Sequence, residues 1–167
     1  MIQKVSFRSM NNGVESRNKL MIYDFSKNEM GISQLLINSA AHESLRGNNV
    51  VFISMDMTAE AVNRRLNDGN SNVENIVVVE TTTSTAARAT HEIYNGETVP
   101  YLFELYKGVA NGAETKPDIL VFDCADFLVG TDIVNKLIHF ADKENINIYT
   151  AIRNKSKLPS VWSDEND

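Results

Sequence analysis

Residues 20–33 run Leu20-Met21-Ile22-Tyr23-Asp24-Phe25-Ser26-Lys27-Asn28-Glu29-Met30-Gly31-Ile32-Ser33. A mostly apolar run gives way to a polar loop, and helical period begins at Gly31. Beyond it, Ile32, Leu35, Leu36, Ser39 and Ala40 fall on one stripe, and Gly47 follows as a stop. Four more short runs rich in β-branched residues occupy 50–55 (VVFISM), 76–80 (IVVVE), 119–124 (ILVFDC) and 146–152 (INIYTAI). Most are near-continuous rather than alternating, the pattern of strands covered on both faces. Helical segments are predicted between them. Residues 58–66 open on the N-cap former Thr58 with Glu60 in the first turn. Residues 85–94 and 99–110 are separated by Asn95-Gly96, and 132–143 place Ile133, Leu137 and Phe140 on one face. Five buried strands alternating with helices predict an α/β fold around a mostly parallel five-stranded sheet.

The rest of the chain bounds the function. A length of 167 residues suits one domain, and 43% hydrophobic with 23% charged residues is an ordinary globular composition. Sixteen basic against twenty-two acidic residues give a net charge of −6, which disfavours a protein that grips duplex DNA through its backbone. Cys124 is the single cysteine, so no internal disulfide forms. No apolar run nears the roughly 20 residues of a membrane span, and Met1-Ile2-Gln3-Lys4 lacks a signal pattern. A cytoplasmic protein with no membrane association is expected. Residues 1–19 read as a polar N-terminal extension with a turn at Asn11-Asn12-Gly13, residues 20–158 as the folded domain, and 159–167 as an acidic C-terminal tail.

The loop after the first run sits where a nucleotide-binding α/β protein carries G-x-x-x-x-G-K-[ST]. There, glycines let backbone N–H groups curl around phosphate, lysine supplies charge, and the hydroxyl ligates magnesium. Gly31 and Ser33 fit that frame, whereas Ser26 replaces the first glycine and Ile32 the lysine. Isoleucine neither donates a hydrogen bond nor carries charge. Losing one preorganised donor at a developing anion costs about 3–4 kcal/mol of transition-state stabilisation. Glu29 adds repulsion, and Lys27 is the only cation in the loop able to compensate. The run 119–122 closes on Asp123, where a magnesium-holding acid is expected in such a fold.

Together these features resemble the RecA-like ATPase domain of DnaB-type replicative helicases, especially those of T4-like phages. The resemblance covers about residues 14–157. Its most telling part is 49–66 (NVVFISMDMTAEAVNRRL), joined by 17–21 (RNKLM), 117–128 (PDILVFDCADFL) and 135–155. It implies a three-layer α/β/α RecA-like (P-loop NTPase) fold with strand order 3-2-4-5-1, counting only the five expected strands. It also implies roles. Ser26, Lys27, Gly31, Ile32 and Ser33 stand in the phosphate loop. Asp56 takes the place of the catalytic glutamate, one methylene short, a misplacement of about 1 Å that costs on the order of a hundredfold. Asp123 is the magnesium acid, and Ile152-Arg153 replace a Ser-Gln sensor pair. Ser33 and Asp123 are the ligands if magnesium binds at all; no other metal set is predicted.

Nucleic-acid contacts are thin by the same comparison. The loop at 128–132 has no lysine or arginine, leaving Arg153, Lys155 and Lys157 as the candidates. Three departures at one active site (Ile32, Asp56, Arg153) point to a degenerate, non-hydrolysing relative. Such a chain serves as an interaction module in phage DNA replication, partnered by a replicative helicase or by itself, without a cofactor. The alternatives are a weak ATPase using Lys27, Asp56 and magnesium, and a single-strand binder using Arg153–Lys157. Thr81–Thr85 read as a turn, and His42, His91 and His139 lack metal spacing. Cys124 reads as a small buried residue rather than a nucleophile. Trp162 reads equally as a packing anchor or an exposed contact residue.

Overall fold

The computed structural model describes residues 3–25, 31–54, 57–68, 74–80, 92–94, 97–99, 101–123 and 133–152. In chain order the elements are β1 (Gln3–Asn11), β2 (Val14–Asp24), α1 (Ile32–Leu45), β3 (Val50–Ser54), α2 (Ala59–Asp68), β4 (Ile76–Glu80), β5 (Glu92–Tyr94), β6 (Glu97–Val99), α3 (Tyr101–Gly112), β7 (Ile119–Phe122), α4 (Ile133–Glu144) and β8 (Asn147–Ile152). Six strands form one sheet in the order β1-β2-β8-β7-β3-β4, and β5 pairs with β6 separately. β1 runs antiparallel to β2, and every other neighbour in the large sheet is parallel.

Side-chain alternation places two cores on opposite faces of this sheet. On one face, Leu20, Ile22, Val51, Ile53, Leu120, Phe122 and Ile148 pack with residues of α3 and α4, including Tyr106, Leu137 and Phe140. On the other, Val50, Phe52, Ile119, Val121 and Ala151 pack with Leu36, Ile37 and Ala40 of α1 and Val62 and Leu66 of α2. β3 and β7 are buried along their whole length, as their unbroken apolar sequence requires. The chain is therefore a mixed α/β protein with helices on both faces of a mostly parallel sheet.

The expected five-stranded sheet of order 3-2-4-5-1 is corrected to six strands. Residues placed outside the domain by their polarity supply the added strand, β1, and extend β2 back to Val14. The hairpin turn falls at Asn12 and Gly13, both at positive φ (54° and 78°), the pairing that suits a two-residue turn between right-twisted strands. Polarity misled because only one face of β1 is covered: Lys4, Ser6 and Arg8 are exposed, while Val5 and Phe7 pack on the core. The hairpin is tied down at Asp142 of α4, whose carboxylate accepts hydrogen bonds from the hydroxyls of Ser9 and Ser16.

The predicted helix over 85–94 is corrected at its end, residues 85–91 lying outside the described residues. Residues 92–94 are strand β5, and the register Tyr94↔Glu97 leaves only Asn95 and Gly96 between it and β6. Asn-Gly is a hairpin signal, and it prevailed over helical period here. Val99 closes β6, so the following helix begins at Tyr101. Thr58 caps α2 as expected, its hydroxyl accepting the Ala61 N–H at 3.1 Å. Residues 81–85, His91, Cys124, Trp162 and the tail 159–167 lie outside the described residues. No helix among the described residues is long and apolar enough to cross a membrane.

Candidate functional site

In an open α/β sheet, ligands settle beyond the carboxyl ends of the parallel strands. Here that end is formed by Phe25 after β2, Ser54 at the end of β3, Asp123 after β7 and Ile152 at the end of β8. Phe25 donates its N–H to the Ile152 carbonyl at 2.8 Å, which locks two of these ends together. Gly31 opens α1 at φ 92°, a left-handed conformation that glycine adopts without strain, and it makes no side-chain cap.

Ile32 follows in the first turn of α1. Its side chain is only 3% exposed and belongs to the core cluster that includes Phe25, Leu36, Phe52 and Val121. Fully burying an aliphatic chain of this size contributes about 1.5–3 kcal/mol. Ile32 therefore serves the core. Ser33 beside it is half-buried.

Asp123 is 2% exposed. Its Oδ2 lies 3.5 Å from Ser54 Oγ across the ends of β7 and β3. That serine is occupied by its own turn: Oγ accepts the Met57 N–H at 3.0 Å and donates to the Met57 carbonyl at 2.6 Å. A hydroxyl whose proton is held by a backbone carbonyl is not an activated nucleophile. The structure thus brings Gly31, Ile32, Ser33 and Asp123 to one end of the sheet. Ser26, Lys27, Asp56, Arg153, Lys155 and Lys157 lie outside the described residues. Among the described residues no group of three or more His, Cys, Asp and Glu side chains is placed to hold a metal.

A second concavity was not anticipated. A groove of about 360 Å³ lies between α1 and the β1–β2 hairpin, lined by Lys4, Lys19, Met21, Tyr23, Leu35, Asn38, Ser39, His42, Glu43, Arg46 and Tyr149. Its inner wall is a closed hydrogen-bond network. Glu43 is buried, yet its carboxylate accepts from Tyr149 Oη at 2.9 Å, from Asn48 Nδ2 at 2.7 Å and from Arg46 at 3.3 Å. Burial and that hydrogen bond to Glu43 hold the Tyr149 phenol well above its ordinary range. Ser39 donates to the Leu35 carbonyl at 3.0 Å, so Tyr23 is the donor in the 3.1 Å Tyr23–Ser39 pair. The sequence carried a partial signal, since Lys4, Ser6 and Arg8 alternate with Val5 and Phe7. No spacing rule links them to His42, Arg46 or Tyr149. No protein-family model and no curated protein matches the chain.

Proposed function

We propose that this chain is a RecA-like domain, similar to the ATPase domain of DnaB-type replicative helicases, that has lost nucleotide hydrolysis and acts as an interaction or regulatory module in phage DNA replication. The observation that carries this reading is the burial of Ile32. At the place where the related motors present an ammonium group to phosphate, this chain directs an aliphatic side chain into the core beneath α1. The order of the parallel strands, the glycine opening α1 and the acid closing β7 support the RecA-like part. The partner in this reading is a replicative helicase subunit or a second copy of the chain, and no cofactor is required.

Weak ATP binding with magnesium, using Lys27 and the hydroxyl of Ser33, is the second reading. The left-handed Gly31 favours it, because such a turn leaves backbone N–H groups available to an anion. Isothermal titration of the chain with ATP and magnesium separates the two. The leading reading expects no binding at the loop. Micromolar affinity that disappears in Lys27→Ala contradicts it.

A further inference from the structure

The groove beside α1 differs in charge from the molecule around it. The chain carries −6 overall, yet the groove is lined by Lys4, Lys19, His42 and Arg46 against one carboxylate, Glu43. That carboxylate is buried and already accepts three hydrogen bonds. Neither lysine side chain has an ion-pair partner among the described residues.

The register of the hairpin adds an independent observation. Arg8 sits directly opposite Lys19, a like-charge pair that destabilises an antiparallel ladder. Glu15, 3.8 Å from Arg8 and largely exposed, is weak compensation. Along the same face, Lys4 is opposite Tyr23, four residues from Lys19. The two lysine backbones are thus about 13 Å apart at roughly 3.3 Å per residue, with Met21 on the floor between them. Arg46 closes the groove from α1 and spends one contact on Glu43.

We propose that this groove binds a phosphate-bearing anion. The wall's hydroxyl protons are committed internally, so the donors left for a ligand are the ammonium and guanidinium groups, with the Asn38 amide and the His42 imidazole beside them. Flexible ammonium groups from the two strands of the hairpin, with the Arg46 guanidinium on the α1 side, suit a compact anion of charge about −1.5 to −2 with several acceptor oxygens. A peptide, whose carboxylates carry one charge each and are spread along a strand, fits this convergence less well. The phosphate comes either from a free phosphoester, for which the volume is adequate, or from the backbone of a nucleic-acid strand laid along the hairpin. The site lies away from the phosphate loop, so it stands or falls separately from the reading of that loop.

The test is isothermal titration of the full chain with pyrophosphate at physiological salt, repeated on the Lys4→Ala/Lys19→Ala double variant, on its Lys→Arg counterpart and on Lys27→Ala. Lys4 is exposed and Lys19 half-buried on the hairpin, and thermal melts check that the variants stay folded. The proposal expects saturable binding, weakened at least tenfold by the alanines and largely restored by the arginines. Absent binding overturns it, as does binding unchanged by the alanine pair or lost only in Lys27→Ala. Octathymidylate distinguishes the sources. Tighter binding than pyrophosphate with a steep salt dependence assigns a nucleic-acid strand, and the reverse order assigns a free phosphoester. An octaglutamate peptide that binds more tightly than either overturns the phosphate assignment.

Discussion

Helix α1 buries one unusual residue near each end, and the two are buried for opposite reasons. At its start Ile32 is apolar and needs nothing beyond the core. In its last turn Glu43 is a carboxylate that burial would penalise heavily, and it is satisfied by Tyr149, Asn48 and Arg46. The first end lies where the sequence pattern predicts phosphate-binding chemistry, and Ile32 there is packed into the core. The second lies where no motif points, and it has been built into a polar wall flanked by cations. Sequence motifs locate where chemistry is expected; charge and hydrogen bonding locate where this chain has placed its polar groups.

The contrast can be broken first at Ile32. Ile32→Ala removes core volume, so urea unfolding should show a loss of about 3 kcal/mol. A residue poised for a ligand would lose little stability on truncation. Next comes Glu43→Ala, which strands the Tyr149 hydroxyl and the Asn48 amide at a half-buried position. The expected loss is about 2 kcal/mol, smaller because Arg46 is mostly solvated. Tyr149→Phe in the Glu43→Ala background should then cost almost nothing, since the partner has already gone.

A smaller effect, visible only at alkaline pH, is on the other face of the sheet. The Tyr106 hydroxyl is buried without a hydrogen-bond partner among the described residues. Burial, and secondarily the carboxylates of Glu144 and Asp118, pushes its pKa up to about 12 from the ordinary 10. The unfolded chain then releases this proton first. Stability is fully present below pH 10 and declines as pH rises toward 12, with about 1.4 kcal/mol lost at pH 11. Tyr106→Phe should remove this share of the alkaline decline while leaving neutral-pH stability equal or slightly higher, as alkaline melts would show.

The buried middle of the sheet was legible because β3, β7 and most of β8 are nearly unbroken apolar runs, a pattern only two-sided burial requires. β1 was obscured by covering one face only, and the front of β2 by its polar composition, with the signal weakened to Val5, Phe7 and the Asn12-Gly13 turn. β5 was hidden by helical period that Asn95-Gly96 overrode. At the site, Gly31 and Asp123 could be read from their places after apolar runs. Whether Ile32 faces ligand or core could not, because a helix's first turn can present a side chain either way. The groove was illegible for a different reason: its residues come from β1, β2, α1 and β8 and meet only through the strand order.

Ile32 belongs to the core, and the function proposed above expects the loop before it to offer no grip to nucleotide phosphate. The most direct measurement is the amide NMR spectrum of the chain titrated with a non-hydrolysable ATP analogue and magnesium. The account predicts no saturable shift at Gly31, Ile32 or Ser33, whatever happens at Lys19, Tyr23 or His42. Saturable shifts at all three first-turn amides, absent in Lys27→Ala, would contradict it.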